Sequence, residues 1–371
     1  MRGLSFLFSL AAVLLVSAYA WAEPADDALW LHVKGKDIVT SPASEGGERA
    51  FIPVGIGYAR NVIIHGQDDE VFKFCKEHSL NTVRLAFYLH RFNGRPEKPI
   101  DLDQHIAEHI EPVIAAARQH NMYVILDDHE YLSAPIDEAL ARQKQDMLPW
   151  DEATIEKWVS GWVKVAEHYK DEPHILGYEL LNEPHDAAPE FVRQVYTRAI
   201  QAIRKVDTRH IIIVGNHVWS HSRAMEKTWG ATATTLDSPY NNIVFAFHDY
   251  PEDDHPWKVQ KYVTAFRDAY NVPVLCTEFG ATHWSKSETV CREFEAGLLA
   301  LFAKENIGWM IWALKTLEDH PRNPYNEVDK VGLDPKVFDS CAYSDLWAPV
   351  ARIMASPMPA PKAPEVKGGG H

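Results

Sequence analysis

The chain has 371 residues, 46% hydrophobic and 24% charged, with a formal charge of −15 at pH 7. That apolar content excludes a disordered chain, and an acidic balance without a basic stripe argues against nucleic-acid binding. The length suits two ordinary domains or one large α/β barrel, and 12 Trp make it rich in aromatic rings.

Residues 1–22 read as a secretory signal peptide. Arg2 gives a basic start, 4–16 is apolar but too short to span a bilayer, and Ala20-Trp21-Ala22 has the form of a cleavage site. The expectation is a secreted or periplasmic protein without membrane contact after cleavage. One folded domain is expected over residues 23–355, followed by a disordered Pro/Gly-rich tail over 356–371. Cys75, Cys276, Cys291 and Cys341 are too few for a disulfide framework, and their pairing stays open. Cys276 sits in an apolar run and reads as a buried small hydrophobe. No Cys-x-x-Cys, His-Glu-x-x-His or Gly-rich phosphate loop occurs, so no metal or cofactor is expected.

A hairpin around Gly35-Lys36 precedes eight short runs rich in Val, Ile and Leu. They lie at residues 51–57, 82–87, 123–127, 175–181, 211–215, 243–248, 272–277 and 307–312. Their recurrence every roughly 30 to 50 residues is the spacing of βα units, with parallel strands covered on both faces. Between them, Ile155, Val159, Trp162, Ala166 and Tyr169 mark one helix face. Phe191, Val195, Ala199 and Ile203 mark a second, and Phe294, Leu298, Leu301 and Phe302 a third. Residues 106–117 are also periodic, with Pro112 expected to kink or restart the helix. A doubly wound dinucleotide-binding sheet is the alternative, but Gly55-Ile56-Gly57-Tyr58-Ala59-Arg60 lacks the third glycine of its fingerprint. The pattern predicts a single (β/α)₈ TIM barrel with an N-terminal β-hairpin as cover.

Chemistry in such barrels gathers at the C-terminal strand ends. Here those ends carry Arg84, Asp127-Asp128-His129, Asn182-Glu183-Pro184, Asn216-His217-Val218-Trp219, His248-Asp249-Tyr250, Glu278-Phe279-Gly280 and Trp312. Glu183 and Glu278 follow the fourth and seventh strands, nearly opposite across a barrel. Two converging carboxylates, one protonated and one ionised, suit glycoside hydrolysis, and a short gap between them favours retention. Arg84 is placed to lower the pKa of one of them.

Asn182-Glu183-Pro184 together with Glu278 resembles the glycoside hydrolase clan of 4/7 barrels. The fuller ordered set of Arg84, His129, Asn182-Glu183-Pro184, His248 with Tyr250, Glu278-Phe279-Gly280 and Trp312 is similar to family 5, the cellulase-type family. The resemblance implies Glu183 as general acid/base, Glu278 as nucleophile oriented by Tyr250, and Asn182 as donor to the sugar 2-hydroxyl. It implies His129 and His248 as lining, Trp312 as a stacking floor, Trp219 as a second aromatic platform and Lys315 as a polar contact. The implied activity is that of a monomeric, retaining endo-β-1,4-glycanase on polysaccharide or oligosaccharide, most simply an endoglucanase (cellulase). A β-mannanase, or another β-glucan or exo-glucosidase specificity, would share this core. A non-catalytic glycan-binding barrel is the non-enzymatic alternative, but it has no need of a matched acid and nucleophile. A metal reading of residues 248–255 fits neither an EF-hand loop nor a tetrahedral set. Long segments at 131–150 and 316–342 are expected to set substrate preference. Trp257 and Trp284 are candidates to extend the cleft, and most other Trp read as core.

Overall fold

The computed structural model describes residues 27–44, 46–58, 68–89, 100–130, 150–251, 255–280 and 288–314. The expected signal peptide and tail, Lys315, Trp284, Trp347, Cys341 and the segments 131–149 and 316–342 lie outside them.

Runs that are apolar on both faces must be covered on both faces, and a closed parallel barrel inside a helical shell does this. The barrel strands are β3 (Val54–Tyr58), β4 (Thr82–Phe87), β5 (Tyr123–Asp128), β6 (Ile175–Glu179), β7 (Ile211–Val214), β8 (Ile243–Asp249), β9 (Val274–Phe279) and β10 (Gly308–Leu314). They pair in sequence order, all parallel, and β10 closes onto β3. The eight expected strands are all present. Three begin later than expected, β10 by one residue at Gly308, and β3 at Val54 and β9 at Val274 directly after Pro53 and Pro273. A proline cannot donate to the ladder, so pairing starts behind it.

The hairpin also forms: β1 (Leu31–Lys34) pairs antiparallel with β2 (Asp37–Thr40) around Gly35, whose φ is +60°. Its Leu31 and Ile38 pack with Ile125, Leu176, Ile211, Val244, Leu275 and Met310, closing one end of the barrel interior.

The shell comprises α1 (Asp68–Glu77), α2 (Leu102–His105), α3 (Glu111–His120), α4 (Glu152–Tyr169), α5 (Pro189–Ile203), α6 (Met225–Trp229), α7 (Pro256–Tyr270) and α8 (Glu288–Glu305). The expected break at Pro112 is real. A π-helical turn over Ile106–Ile110 follows α2, and α3 restarts with Pro112 in its first turn, where a missing N–H costs nothing. Helix α4 shows why a stripe becomes a buried face. Asp151 caps it by accepting from the Thr154 amide at 2.8 Å, and Ile155, Trp158, Trp162, Val165, Ala166 and Tyr169 all turn inward. Trp150, Trp158, Trp162 and Trp229 are fully buried. Cys75 and Cys276 are buried free thiols. No helix among the described residues is long and apolar enough to cross a membrane.

Two indoles tie this shell to the strand ends. Trp162 donates to the Leu180 carbonyl at 2.9 Å, just before Asn182, and Trp158 donates to Asp128 at 2.8 Å. Removing such a ring leaves a cavity and an unpaired carbonyl. We predict that Trp162→Ala lowers stability by roughly 3–5 kcal/mol and Tm by roughly 6–20 °C. An unchanged melting curve would contradict this packing.

Candidate active site

Arg84 sits in the middle of β4, and its side chain is completely buried. A guanidinium in a barrel interior requires compensating charge, and three strands supply it. Glu179 at the end of β6 accepts from Nε at 2.6 Å and from Nη2 at 3.1 Å. Glu278 on β9 accepts from Nη1 at 3.0 Å, and Asp127 on β5 lies 3.1 Å from Nη2. Nη2 also donates to Asn182 Oδ1 at 2.7 Å. That bond fixes the Asn182 amide, whose buried Nδ2 has no hydrogen-bond partner among the described residues.

Around this cation the other strand-end residues converge. Tyr250 donates to Glu278 Oε1 at 2.5 Å. His248, opposite Glu278 in the β8–β9 register, donates from Nδ1 to Glu183 Oε1 at 2.9 Å. Its Nε2 lies 2.9 Å from Thr277 Oγ1, and the Thr277 hydroxyl donates to Glu179 Oε1 at 2.7 Å. His129 is held by Asp127 at 2.7 Å and stacks on Trp312, with ring centroids 4.6 Å apart and planes at 15°. Trp312 in turn lies on Gly57: a β-carbon there would come within 2.4 Å of the indole, so only glycine lets the ring settle. Trp219 lies further out, 38% exposed, parallel to the buried His185 ring.

The electrostatics divide the two glutamates. Burial, and then the negative charge of Glu278, push the Glu183 carboxyl above the usual carboxylate range despite its bond from His248. Burial acts the same way on Glu278, but the charges of His248 and Arg84 and the Tyr250 hydroxyl outweigh it and hold that carboxyl low. His248 is itself pushed up to about 10: burial opposes its charge, but Glu278, Glu179 and Glu183 overcome it, leaving an imidazolium at neutral pH. One oxygen of Glu183, one of Glu278 and a ring nitrogen of His248 lie within 4.8 Å of one another. Among the described residues this is the group with the spacing to hold a cation, but a protonated imidazole is a poor ligand. The arrangement sets a carboxyl whose pKa is raised beside one whose pKa is lowered, across a short gap.

Of the expected site residues, Arg84, His129, Asn182, Glu183, His248, Tyr250, Glu278 and Trp312 thus form one connected cluster, with Trp219 at its edge. Lys315 lies outside the described residues. Trp257, at the start of α7, is 62% exposed and makes a cation–π contact with Lys258. Sequence reasoning passed over Glu179 and Thr277. The signal for Glu179 was there: a lone carboxylate inside the apolar run 175–181, which a buried strand tolerates only with a partner. A cavity of about 640 Å³ lies elsewhere, between α2, α3 and α4, lined by Asp103, Glu111, Arg118, Lys164 and His168. None of the clustered residues borders it.

Glu179 is held at about 2, burial being outweighed by Arg84 and His248, so its ionised form is stabilised by folding. Its contribution is fully present above the unfolded carboxylate value and is lost as pH falls through about 2. We predict that Glu179→Gln costs about 3–5 kcal/mol at neutral pH. The deficit should shrink as wild type is titrated below the unfolded carboxylate pKa. A deficit unchanged at acid pH would refute the charge pairing.

The chain matches the family model described as Cellulase (glycosyl hydrolase family 5) over residues 52–318. A β-xylosidase of Phanerodontia chrysosporium is 25% identical over 287 residues, which is 66% of this chain and 55% of that protein. An endoglucanase of Thermobifida fusca is 24% identical over 231 residues, 62% of this chain and 44% of that protein. The chain spans about half the length of the curated relatives it matches. Among solved structures, the catalytic domain of a mannanase from Streptomyces sp. SirexAA-E is similar with TM-score 0.61 at 21% identity, covering 89% of this chain and 90% of that one. A structure from Cytophaga hutchinsonii reaches TM-score 0.64 at 20% identity, covering 88% and 95%. These structural likenesses concern the barrel fold.

Proposed function

The chain belongs to glycosyl hydrolase family 5, and on that premise we propose that it is a retaining endo-β-1,4-glycanase acting on β-glucan. The observation that carries this reading is the spacing of Glu183 and Glu278, whose nearest oxygens lie within 4.8 Å. That distance supports retention, being nearer the short carboxyl separation of retaining glycosidases than the wider gap that inversion uses.

In the first step Glu278 attacks the anomeric carbon while Glu183 gives its proton to the departing glycosidic oxygen. The C1–O bond breaks, an ester between the sugar and Glu278 forms, and the leaving chain departs as an alcohol. In the second step Glu183, now ionised, takes a proton from water whose oxygen attacks the same carbon and releases Glu278. Two displacements restore the starting configuration. His248 donates to Glu183 Oε1, which leaves Oε2 to carry the transferred proton. Arg84 and Tyr250 keep Glu278 ionised and aimed, and Asn182 Nδ2 supplies the donor for a hydroxyl of the bound sugar. Glucan is favoured because the matching family model is that of cellulases and an endoglucanase stands among the relatives. Export to a polysaccharide-containing compartment fits the apolar segment at residues 4–16.

Glu278→Ala should abolish hydrolysis, and azide should restore product formation as an α-glycosyl azide. Turnover by this variant without azide would remove Glu278 from the role. Glu183→Ala should lower kcat about 10²- to 10⁴-fold on a polysaccharide and far less on a substrate whose leaving group needs no proton. The pH profile of kcat/KM should be a bell. Its acid limb lies below the usual carboxylate range, where Glu278 gains a proton, and its alkaline limb above that range, where Glu183 loses one. Glu183→Gln should erase the alkaline limb. On a panel of cellulose, mixed-linkage glucan, xyloglucan, mannan and β-1,3-glucan, the β-1,4-glucans should be cleaved fastest. Preference for mannan would move the specificity while leaving the chemistry.

A further inference from the structure

Consecutive residues of a strand face opposite ways, yet Thr277 and Glu278, neighbours on β9, both reach the cluster. The register explains it. Phe247 pairs with Cys276 and His248 with Glu278, so Thr277 is an extra residue between the two pairs of the β8–β9 ladder. Bulges beside active sites re-aim side chains, and this one turns a hydroxyl toward His248. Thr277, His248 and Glu179 are all 0% exposed, so their polar atoms must satisfy one another.

A hydroxyl has one proton, and its direction here is fixed. Glu179 accepts twice from Arg84, at 2.6 and 3.1 Å, and an ionised carboxylate can only accept. The Thr277 hydroxyl therefore donates to Glu179 Oε1 at 2.7 Å and offers only lone pairs to His248 Nε2 at 2.9 Å. Nε2 must carry a hydrogen. A neutral ring would then have a bare Nδ1, able only to accept from Glu183 Oε1, 2.9 Å away. The acid's proton would be engaged in that bond rather than free for the leaving oxygen. A ring with a hydrogen on both nitrogens donates to Oε1 instead and leaves the acid's proton on Oε2.

The surroundings favour the charged ring. Glu179 Oε1 lies 3.7 Å from Nε2, Glu278 Oε2 lies 3.9 Å from Nδ1, and Glu183 bonds Nδ1. Against these three carboxylates stands Arg84, which is itself bonded to Glu179 and Glu278. His221 bonds the His248 carbonyl and not its ring, through Nδ1 at 3.1 Å. Glu183 in turn faces the charges of Glu278, His248 and His129.

We infer that Thr277 and Glu179 are positioning residues: they hold His248 protonated on both ring nitrogens, so that the proton Glu183 delivers stays on Oε2 and the carboxylate left behind faces a cation. The inference deepens the proposed glycanase and rests on it.

Thr277→Val removes the acceptor for Nε2. The ring then sheds its charge, and the loss of that charge raises the Glu183 carboxyl further. The alkaline limb of kcat/KM on cellopentaose should move up by about one pH unit. On the same substrate kcat/KM should fall about tenfold, a part of what general-acid catalysis supplies. On dinitrophenyl β-cellobioside, whose leaving group needs no proton, the loss should be far smaller. Thr277→Ser, which keeps the hydroxyl, should restore both the limb and the rate. Equal losses on the two substrates with an unmoved limb, or no loss on either, would overturn the relay while leaving the glycanase intact. Nitrogen NMR of wild type reads the same point without a variant. At neutral pH the His248 ring should carry a hydrogen on each nitrogen, and a bare Nδ1 or Nε2 would overturn the relay. Wild type inactive on both substrates and on their manno counterparts would overturn the glycanase and, with it, this role.

Discussion

One buried cation organises this molecule. Arg84 has no access to water, and its charge is tolerable only because Glu179, Asp127 and Glu278 surround it. Those partners come from three strands far apart in sequence, Glu179 lying 95 residues away and Glu278 194. The ion cluster therefore exists only when the barrel is closed, and the closed barrel needs the cluster to be complete. Stability and the reactive geometry share the same bonds.

The cluster also explains how two glutamates in one small space acquire opposite habits. Glu278 touches Arg84 directly and receives the Tyr250 hydroxyl, while Glu183 is hydrogen-bonded by the imidazole of His248 and faces the negative charge of Glu278. A like charge nearby and an apolar setting favour the neutral acid, and an adjacent guanidinium favours the anion. His248 links the two: it donates to Glu183 on one side and reaches Glu179 through Thr277 on the other. Glu179 is thus hydrogen-bonded to Arg84 directly and tied to His248 through Thr277.

Much of this is legible in the sequence. Short Val/Ile/Leu runs at βα spacing specify a parallel barrel, and polar residues just past each run mark its mouth. Asn182, Glu183, His248, Tyr250 and Glu278 can be named from that pattern because a strand end is a local feature, whereas Arg84 lies inside β4 and stands out as a charge within an apolar run. Glu179 escapes it, because its purpose depends on an arginine on another strand, and within its own run it looks like one more residue of a strand. The stack of His185 on Trp219 is harder still. Left-handed backbone is signalled in sequence by glycine or asparagine, and here a tryptophan and a serine adopt it, held by bonds from other segments. The π-helical turn at Ile106–Ile110 has the same character, since the periodicity around Pro112 announces a break without its form. Of the Trp that mark the composition, four rings are fully buried core, and among the described residues only Trp312 and Trp219 stand at the cluster.

The central claim is that the Arg84 cluster makes Glu278 the group that bonds to sugar. The most direct measurement uses a cellobiosyl fluoride carrying fluorine in place of its C2 hydroxyl, which forms the ester quickly and loses it slowly. Intact-protein mass spectrometry should then find a single fluorosugar adduct, and peptide mapping should place it on Glu278. An enzyme that hydrolyses β-glucan yet accumulates no adduct, or carries it on another residue, would contradict the account.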